Sequence, residues 1–316
     1  KESWSFRSVK MKYKFLICFI LIINLFDKVS SSENKILIKI NNEIITTIDI
    51  YNEINFLKSI NPNLQNIEKN QIFEIAKNSL IKEKIKEINL LRNFEEIKLT
   101  QNDFKRLILK TYSRENIDNI ESLEEFLKGF NINIQELRKK LTVSVYWNEM
   151  IIKRFSKNVS INREEIKKEL LKNNKQNEYN LSEILFNIDT GENLDRKQLE
   201  IEESIKNKGF ETSALLFSQS DTSSNGGLVG WIKENSLNSK IRKSLSNIST
   251  NNFTKPILVP GGFLILKINE IRQTKKYEDL DKEIELTIKS QTSNQLAQLS
   301  NIYFNKIKKG ISINEL

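Results

Sequence analysis

No side chain in this chain can act as an imidazole base. Its 316 residues contain no histidine, and the single cysteine is Cys18. Ser-His-Asp and Cys-His nucleophilic catalysis are therefore excluded. A zinc site would have to rest on carboxylates alone, a donor set that ion seldom uses, so no metal and no cofactor is expected. No Gly-x-x-x-x-Gly-Lys loop occurs, and nucleotide-driven cycling is not expected either. Carboxylates, hydroxyls and lysines remain. Some of them stand directly ahead of a glycine cluster: Ser220-Asp221-Thr222-Ser223-Ser224 leads into Asn225-Gly226-Gly227-Leu228-Val229-Gly230-Trp231. The whole chain has nine glycines and three prolines, so a Gly-Gly-x-x-Gly-Trp core carries weight.

The elements that must position this loop are mixed. Leu181 to Asn187 reads as a strand, Asp195 to Lys208 as a helix closed by Gly209, and Glu211 to Phe217 as a short helix. The glycine loop feeds a strand at Val229–Ile232, followed by a helix near Lys240–Leu245. Strands at Thr254–Val259 and Gly262–Ile271 flank the Pro260-Gly261 turn. The pattern describes an α+β domain over 179–272.

The residues before it are mostly helical. Lys35 to Ile45 alternates as a strand or hairpin turning at Asn41-Asn42, and Thr47 is expected to cap a helix ending before Pro62. Further helices are expected over Glu68–Asn93, from Thr100-x-x-Asp103, over Leu123–Phe130, over Ile134–Phe155 and from Asn162-x-x-Glu165. Residues 32–172 thus form a helical domain and 173–178 a polar linker. Residues 273–316 supply a long helix from Tyr277 to Lys309 and a short strand at Ile311–Ile313.

The start of the chain reads as a targeting segment over 1–31. Met11-Lys12-Tyr13-Lys14 gives a basic opening, with Met11 as the expected start, and Phe15 to Phe26 is apolar apart from Asn24. Val29-Ser30-Ser31 offers small residues for cleavage before Ser32. This apolar run is shorter than the roughly 20 residues a membrane-spanning helix needs. A cleaved signal and a mature chain that does not span a membrane are expected, with an uncleaved anchor as the alternative. Lys1, Arg7, Lys10, Lys12, Lys14 and Lys28 against Glu2 and Asp27 account for +4 of the formal +9 charge. The rest is intermixed with acids and forms no basic block, so nucleic acid is not an expected partner.

With these residues placed, the chain resembles the SurA type of periplasmic chaperone with one parvulin (PpiC-type) prolyl isomerase domain. Lys39-Ile40-Asn41-Asn42-Glu43-Ile44-Ile45-Thr46 is similar to that family's opening strand. Leu80-Ile81-Lys82-Glu83-Lys84-Ile85 is similar to one of its helices, and Gly129 before Ile134-Gln135-Glu136-Leu137-Arg138 to a helix junction. Ser182-Glu183-Ile184-Leu185-Phe186 resembles the family's "S-H-I-L-V" strand with Glu183 in place of histidine. Phe217, Ser220 and Asp221 match "F-S-x-D", and Gly226, Gly227, Gly230 and Trp231 match "G-G-D-L-G-W" with Leu228 replacing aspartate. Gly262-Phe263-Leu264-Ile265-Leu266-Lys267 resembles "G-Y-H-I-I-K" with Leu264 replacing the second histidine.

The resemblance implies a multidomain fold. A mainly α N-terminal chaperone domain is completed by the C-terminal helix and strand, and an α+β parvulin-like domain of the FKBP-like superfold follows the linker. It implies degenerate catalytic positions at Glu183, Asp221, Thr222 and Leu264, with Asp221 or Thr222 beneath the substrate. It also implies peptide-binding positions at Phe217, Trp231, Leu237, Ile241 and Phe253. Ionised Glu183 accepts hydrogen bonds but cannot donate them, and Leu264 does neither. A buried Glu183 beside Asp221 would place two acids together. Isomerase activity is expected to be weak or lost. Leu237 and Ile241 suit either a retained proline pocket or an ordinary core. The implied function is an ATP-independent periplasmic chaperone for unfolded outer-membrane or secreted polypeptides. The alternatives are a working prolyl cis-trans isomerase and a membrane-anchored folding factor.

Overall fold

The computed structural model describes residues 34–112, 117, 119–172, 175–188, 191–275 and 279–316. The expected targeting segment over 1–31, with Cys18, lies outside the described residues. Residues 36–316 form one compact unit built on two small antiparallel sheets and ten helices among the described residues.

In the first sheet β1 (Ile36–Ile40) pairs on one side with β2 (Glu43–Thr46) and on the other with β7 (Ile313–Glu315). Asn41 takes the left-handed conformation that the tight β1–β2 turn requires, with φ 51°. The buried faces of Ile38, Ile40 and Ile45 seed a core shared with α1 (Thr47–Ile60), α2 (Lys69–Leu91), α5 (Ile134–Phe155) and α10 (Leu280–Lys308). The cap of α1 is Thr46, not Thr47. Thr46 and Asp49 form a reciprocal capping box, in which each side chain accepts from the other's backbone N–H. Between α2 and α5, α3 (Gln101–Thr111) opens on the Thr100–Asp103 cap, and α4 (Ile120–Lys128) packs beside it in a separate apolar cluster. Asn162 caps α6 (Arg163–Lys172) through the Glu165 N–H.

The C-terminal segment returns to this part of the chain. Buried Trp147 of α5 donates from Nε1 to Ser300 Oγ of α10 at 2.9 Å. The Leu316 N–H then donates to Leu37 O, locking β7 beside β1. The terminal strand lies two residues later than Ile311–Ile313, because Ser312 is held in the turn against Asn41. One buried charge cluster sits in the helical core. Glu53 accepts from Ser79 Oγ at 2.6 Å and pairs with Lys140, which also pairs with Glu83. Burial holds the Glu53 carboxyl above its usual range. Burial opposes the charge on Lys140, but the two carboxylates hold its amine above the usual lysine range.

The second sheet has the order β4-β3-β6-β5, with β3 Lys175–Phe186, β4 Leu228–Lys233, β5 Ile257–Val259 and β6 Gly262–Lys275. Here the sequence expectation needs correction. Residues 175–178, read as linker, are already strand, and β3 pairs with β6 from Lys175↔Lys275 to Phe186↔Phe263. The polar residues Gln176 and Asn177 pair with Thr274 and Gln273, so backbone pairing carries this end without an apolar alternation. One sheet face carries α7 (Leu194–Lys208) and α8 (Phe210–Phe217), packed on Ile184, Phe186 and Ile265. The other carries the segment 234–237 and α9 (Ser239–Leu245), packed on Leu181, Leu185, Leu264 and Leu266.

Candidate functional site

Glu183 lies on the second of these faces. It stands between Leu181 and Leu185 on β3 and opposite Leu266 on β6, so the two-residue period points it toward α9 rather than α8. The chain leaving α8 is stitched onto β3 beside it. Gln219 N–H donates to Leu185 O at 2.6 Å, and Leu185 N–H donates to Ser218 Oγ at 3.1 Å. This stitching brings Ser220 and Thr222 over Glu183. Both hydroxyls donate to Glu183 Oε1, Ser220 at 2.5 Å and Thr222 at 2.9 Å. Burial outweighs these donors and, with the negative charge of Asp221 nearby, holds the Glu183 carboxyl above its usual range.

The glycine loop fixes this geometry from below. Residues 221–225 make a 3-10 turn closed by Gly226 in the left-handed conformation. Gly227 follows with φ 76°, and its carbonyl accepts from the Glu183 N–H at 2.8 Å. A Cβ at Gly227 would lie 2.2 Å from Glu183 O and 2.9 Å from Ala214 Cβ. The backbone passes so close to β3 that only glycine fits, and that approach places Thr222 within reach of Glu183.

Asp221 does not join Glu183. Its side chain is 56% exposed and turns away to pair with Lys86 of α2 at 2.7 Å. Burial alone would raise the Asp221 carboxyl, but Lys86 and Lys82 hold it below the usual range. Lys82, one helical turn before Lys86, donates to Ser220 O at 3.1 Å and Ser223 Oγ at 3.2 Å. Burial pushes its amine down to about 8, with Asp221 opposing and Lys86 and Lys308 reinforcing. The loop that carries the candidate polar residues is thus held from outside by two lysines of the helical part.

The remaining candidates separate by face. Leu264, Leu237 and Ile241 meet in one apolar cluster with Leu185 and Leu266, and each of the three is only 8% exposed. Phe217 and Phe253 belong to the cluster on the opposite face, with Phe253 ring-packed on Phe210 at 6.4 Å. Trp231 sits on edge strand β4, opposite Asn180, under the Arg272 guanidinium at 4.0 Å. The peptide-binding set therefore does not line one groove. A cavity of about 400 Å3 opens elsewhere, on the Asp221 side of the loop. Its walls include Leu57, Ile85, Val143, Leu216 and Phe304, and both Phe217 and Asp221 reach it.

Residues 184–270 match the family described as a PPIC-type PPIASE rotamase domain. This segment is similar to that rotamase family. Just under half of the chain is also similar to chaperones described as SurA. It is 26% identical over 145 residues to the chaperone SurA of Pseudomonas fluorescens, covering 44% of this chain and 34% of that protein. It is 24% identical over 146 residues to the SurA of Pseudomonas aeruginosa, covering 44% and 35%. The matched stretch spans about a third of these relatives' length. Among solved structures, one of two SurA-like chaperones of Campylobacter jejuni is 19% identical and covers 90% of this chain and 99% of its own, at a TM-score of 0.37. The PrsA peptidylprolyl isomerase of Bacillus anthracis is 15% identical and covers 75% and 98%, at a TM-score of 0.31.

Glu183 and Leu264 lie on the neighbouring strands β3 and β6, on the same face of the sheet. The residues that sequence reasoning missed are Lys82 and Lys86. They look like ordinary solvent-facing lysines of an amphipathic helix, and nothing local in the sequence points them at Ser220 and Asp221. Among the described residues, no group of histidine, cysteine or acidic side chains is arranged to hold a metal ion. No described helix is long and apolar enough to cross a membrane.

Proposed function

We propose that this chain is an ATP-independent chaperone that holds unfolded polypeptides, and that its parvulin domain no longer isomerises prolyl bonds. One observation carries the reading: Leu264, Leu237 and Ile241, which the resemblance places at the second histidine and the proline pocket, are buried in one apolar cluster. Rotation about a peptide bond faces a barrier of about 18–20 kcal/mol, and a catalyst lowers the prolyl barrier by holding the twisted amide better than the planar one. That requires an open apolar pocket beside correctly placed polar groups. Here the pocket positions are packed, and Glu183 is already engaged by Ser220 and Thr222. The client class, unfolded outer-membrane barrel precursors in the periplasm, follows from the SurA resemblance.

Dilution of a urea-unfolded outer-membrane barrel protein into buffer without nucleotide tests the reading by light scattering. Stoichiometric chain should suppress aggregation, and no protection at that ratio would sink the proposal. A proline-peptide isomerisation assay should show no acceleration over the spontaneous rate.

A second reading, a working isomerase, is favoured by the convergence of Glu183, Ser220 and Thr222. Acceleration that disappears in Asp221→Ala and Thr222→Ala would establish it. For the membrane-anchored alternative, N-terminal sequencing of the mature chain decides whether residues 15–26 are retained.

A further inference from the structure

The cavity beside the parvulin loop has a chemistry that neither the loop nor the helical core uses up. Its walls mix apolar and polar side chains, and beside the carboxylates of Glu53, Glu83 and Asp221 four lysines line it: Lys82, Lys86, Lys140 and Lys308. Two of them are spoken for. Lys140 pairs with Glu53 and Glu83, and Lys86 pairs with Asp221. Lys82 reaches only neutral oxygens, the Ser220 carbonyl and the Ser223 hydroxyl. Lys308, exposed near the C-terminal end of α10, makes no side-chain hydrogen bond or ion pair among the described residues and acts electrostatically on Lys82. Four lysines thus face three carboxylates in one chamber, and Lys82 and Lys308 are the two that make no direct ion pair among the described residues.

The occupant that complements this chamber carries an apolar group and an anion within a single residue's reach. In an extended segment, successive side chains point to opposite sides, so an internal acid and its apolar neighbour do not enter one cavity together. The last residue of a polypeptide carries both groups on one Cα. The volume of about 400 Å3 lies within the range of small-ligand pockets and well above the roughly 150 Å3 of a benzene-sized cavity.

We propose that this cavity captures the C-terminal residue of a client polypeptide, its apolar side chain against Phe304 and Leu216 and its carboxylate between Lys82 and Lys308. The inference rests on the reading of the chain as a holder of unfolded polypeptides, and it adds where and by which end a client is held. The partly buried position of Lys82, whose amine sits at about 8, favours it. A carboxylate brought beside that amine adds a direct ion pair to the attraction of Asp221 and stabilises its protonated form.

The test uses the full chain and three fluorescent ten-residue peptides of one sequence ending in Phe, followed by anisotropy at pH 7. The first has a free C-terminal carboxylate, the second is amidated, and the third is amidated with an internal Asp. A charge-assisted hydrogen bond is worth about 1.5–3 kcal/mol, so amidation is expected to weaken binding roughly 10- to 100-fold. The internal Asp should not restore it. Lys82→Met with Lys308→Met should bring the free acid down to the amidated level and leave the amidated peptide unchanged, while Lys82→Arg with Lys308→Arg should retain the difference. Equal binding of acid and amide overturns the proposal, as does rescue by the internal Asp or indifference to the methionine pair. Aggregation suppression measured on the same preparations separates the two failures. Suppression without acid-over-amide preference refutes the capture site alone, whereas loss of suppression refutes the holding function beneath it.

Discussion

Substituting alanine at two glycines of the same motif separates backbone conformation from packing. Gly227 and Gly230 both have positive φ, at 76° and 87°. A non-glycine residue held in that region costs about 1–2 kcal/mol. At Gly230 nothing lies within 4 Å of the added Cβ, so Gly230→Ala should lose that conformational term and little else. At Gly227 the Cβ would stand 2.2 Å from the Glu183 carbonyl oxygen and 2.9 Å from Ala214 Cβ. Neither neighbour is the end of a flexible side chain, so the start of β4 must move away from β3. That movement breaks the 2.8 Å bond from Glu183 N–H to Gly227 O and leaves its two groups short of a partner, which costs about 1–3 kcal/mol. Gly227→Ala should therefore lose roughly 2–5 kcal/mol in all. That total corresponds to roughly 4–20 °C in Tm, against roughly 2–8 °C for Gly230→Ala. Urea unfolding followed by tryptophan fluorescence reads both, since Trp231 lies beside the loop. Equal losses at the two positions would refute the argument that close approach to β3, rather than backbone freedom, fixes Gly227.

Three further outcomes follow from the buried charges. Because the Glu183 carboxyl is held above its usual range, its protonation favours the folded state. That contribution is present below the unfolded value near pH 4.5 and lost as pH rises through the raised one; Glu183→Gln should flatten this slope in urea midpoints, and an unchanged slope would refute the assignment. The Lys82 amine is lowered to about 8, so its contribution is present above about pH 10.5 and lost as pH falls through about 8. Lys82→Met should remove a rise of at most about 3 kcal/mol between those values, less for a side chain that keeps some solvent contact, and a persisting rise would point to another group. Lys140→Met leaves Glu53, 1% exposed, without its cation and should lose roughly 3–5 kcal/mol; adding Glu53→Gln should recover much of this in the same unfolding assay, and no recovery would show that Lys140 acts through packing alone.

The sequence makes some parts of this molecule visible and hides others for physical reasons. Helices with a buried stripe, such as α2 and α5, and those opened by a cap, such as α3 at Thr100-x-x-Asp103, are legible because their signals are local. The cap of α1 was displaced by one residue because Thr46 and Thr47 are equivalent in type, and only the Asp49 partner decides between them. The first four residues of β3 escaped because Gln176 and Asn177 show no alternation; their strand character comes from β6, about a hundred residues away. Phe253 was grouped with Leu237 and Ile241 because composition does not reveal a sheet face. Its bridge to Lys267 puts it on the α8 side. The turn of Asp221 toward Lys86 joins residues 135 apart, and no local pattern encodes such a pairing.

The packed groove and the tethered loop act together on the question of catalysis. On the proposed reading, proline entry would require Leu264, Leu237 and Ile241 to leave the apolar cluster they share. Fully exposing even one such side chain costs about 1.5–3 kcal/mol, so opening all three in part costs roughly 4 kcal/mol. An open form at that energy makes up about one molecule in a thousand, and substrate affinity falls by the same factor. The loop cannot relieve this by moving alone, because Lys86 holds Asp221 and Lys82 holds Ser220 and Ser223 against α2. Restoring histidines at 183 and 264 would supply donors to a site that a proline still seldom reaches. Replacing Leu237 and Ile241 with alanine would widen the groove without supplying donors. On the proposed reading the packed cluster and the missing donors act independently, so neither pair of substitutions alone should produce isomerase activity.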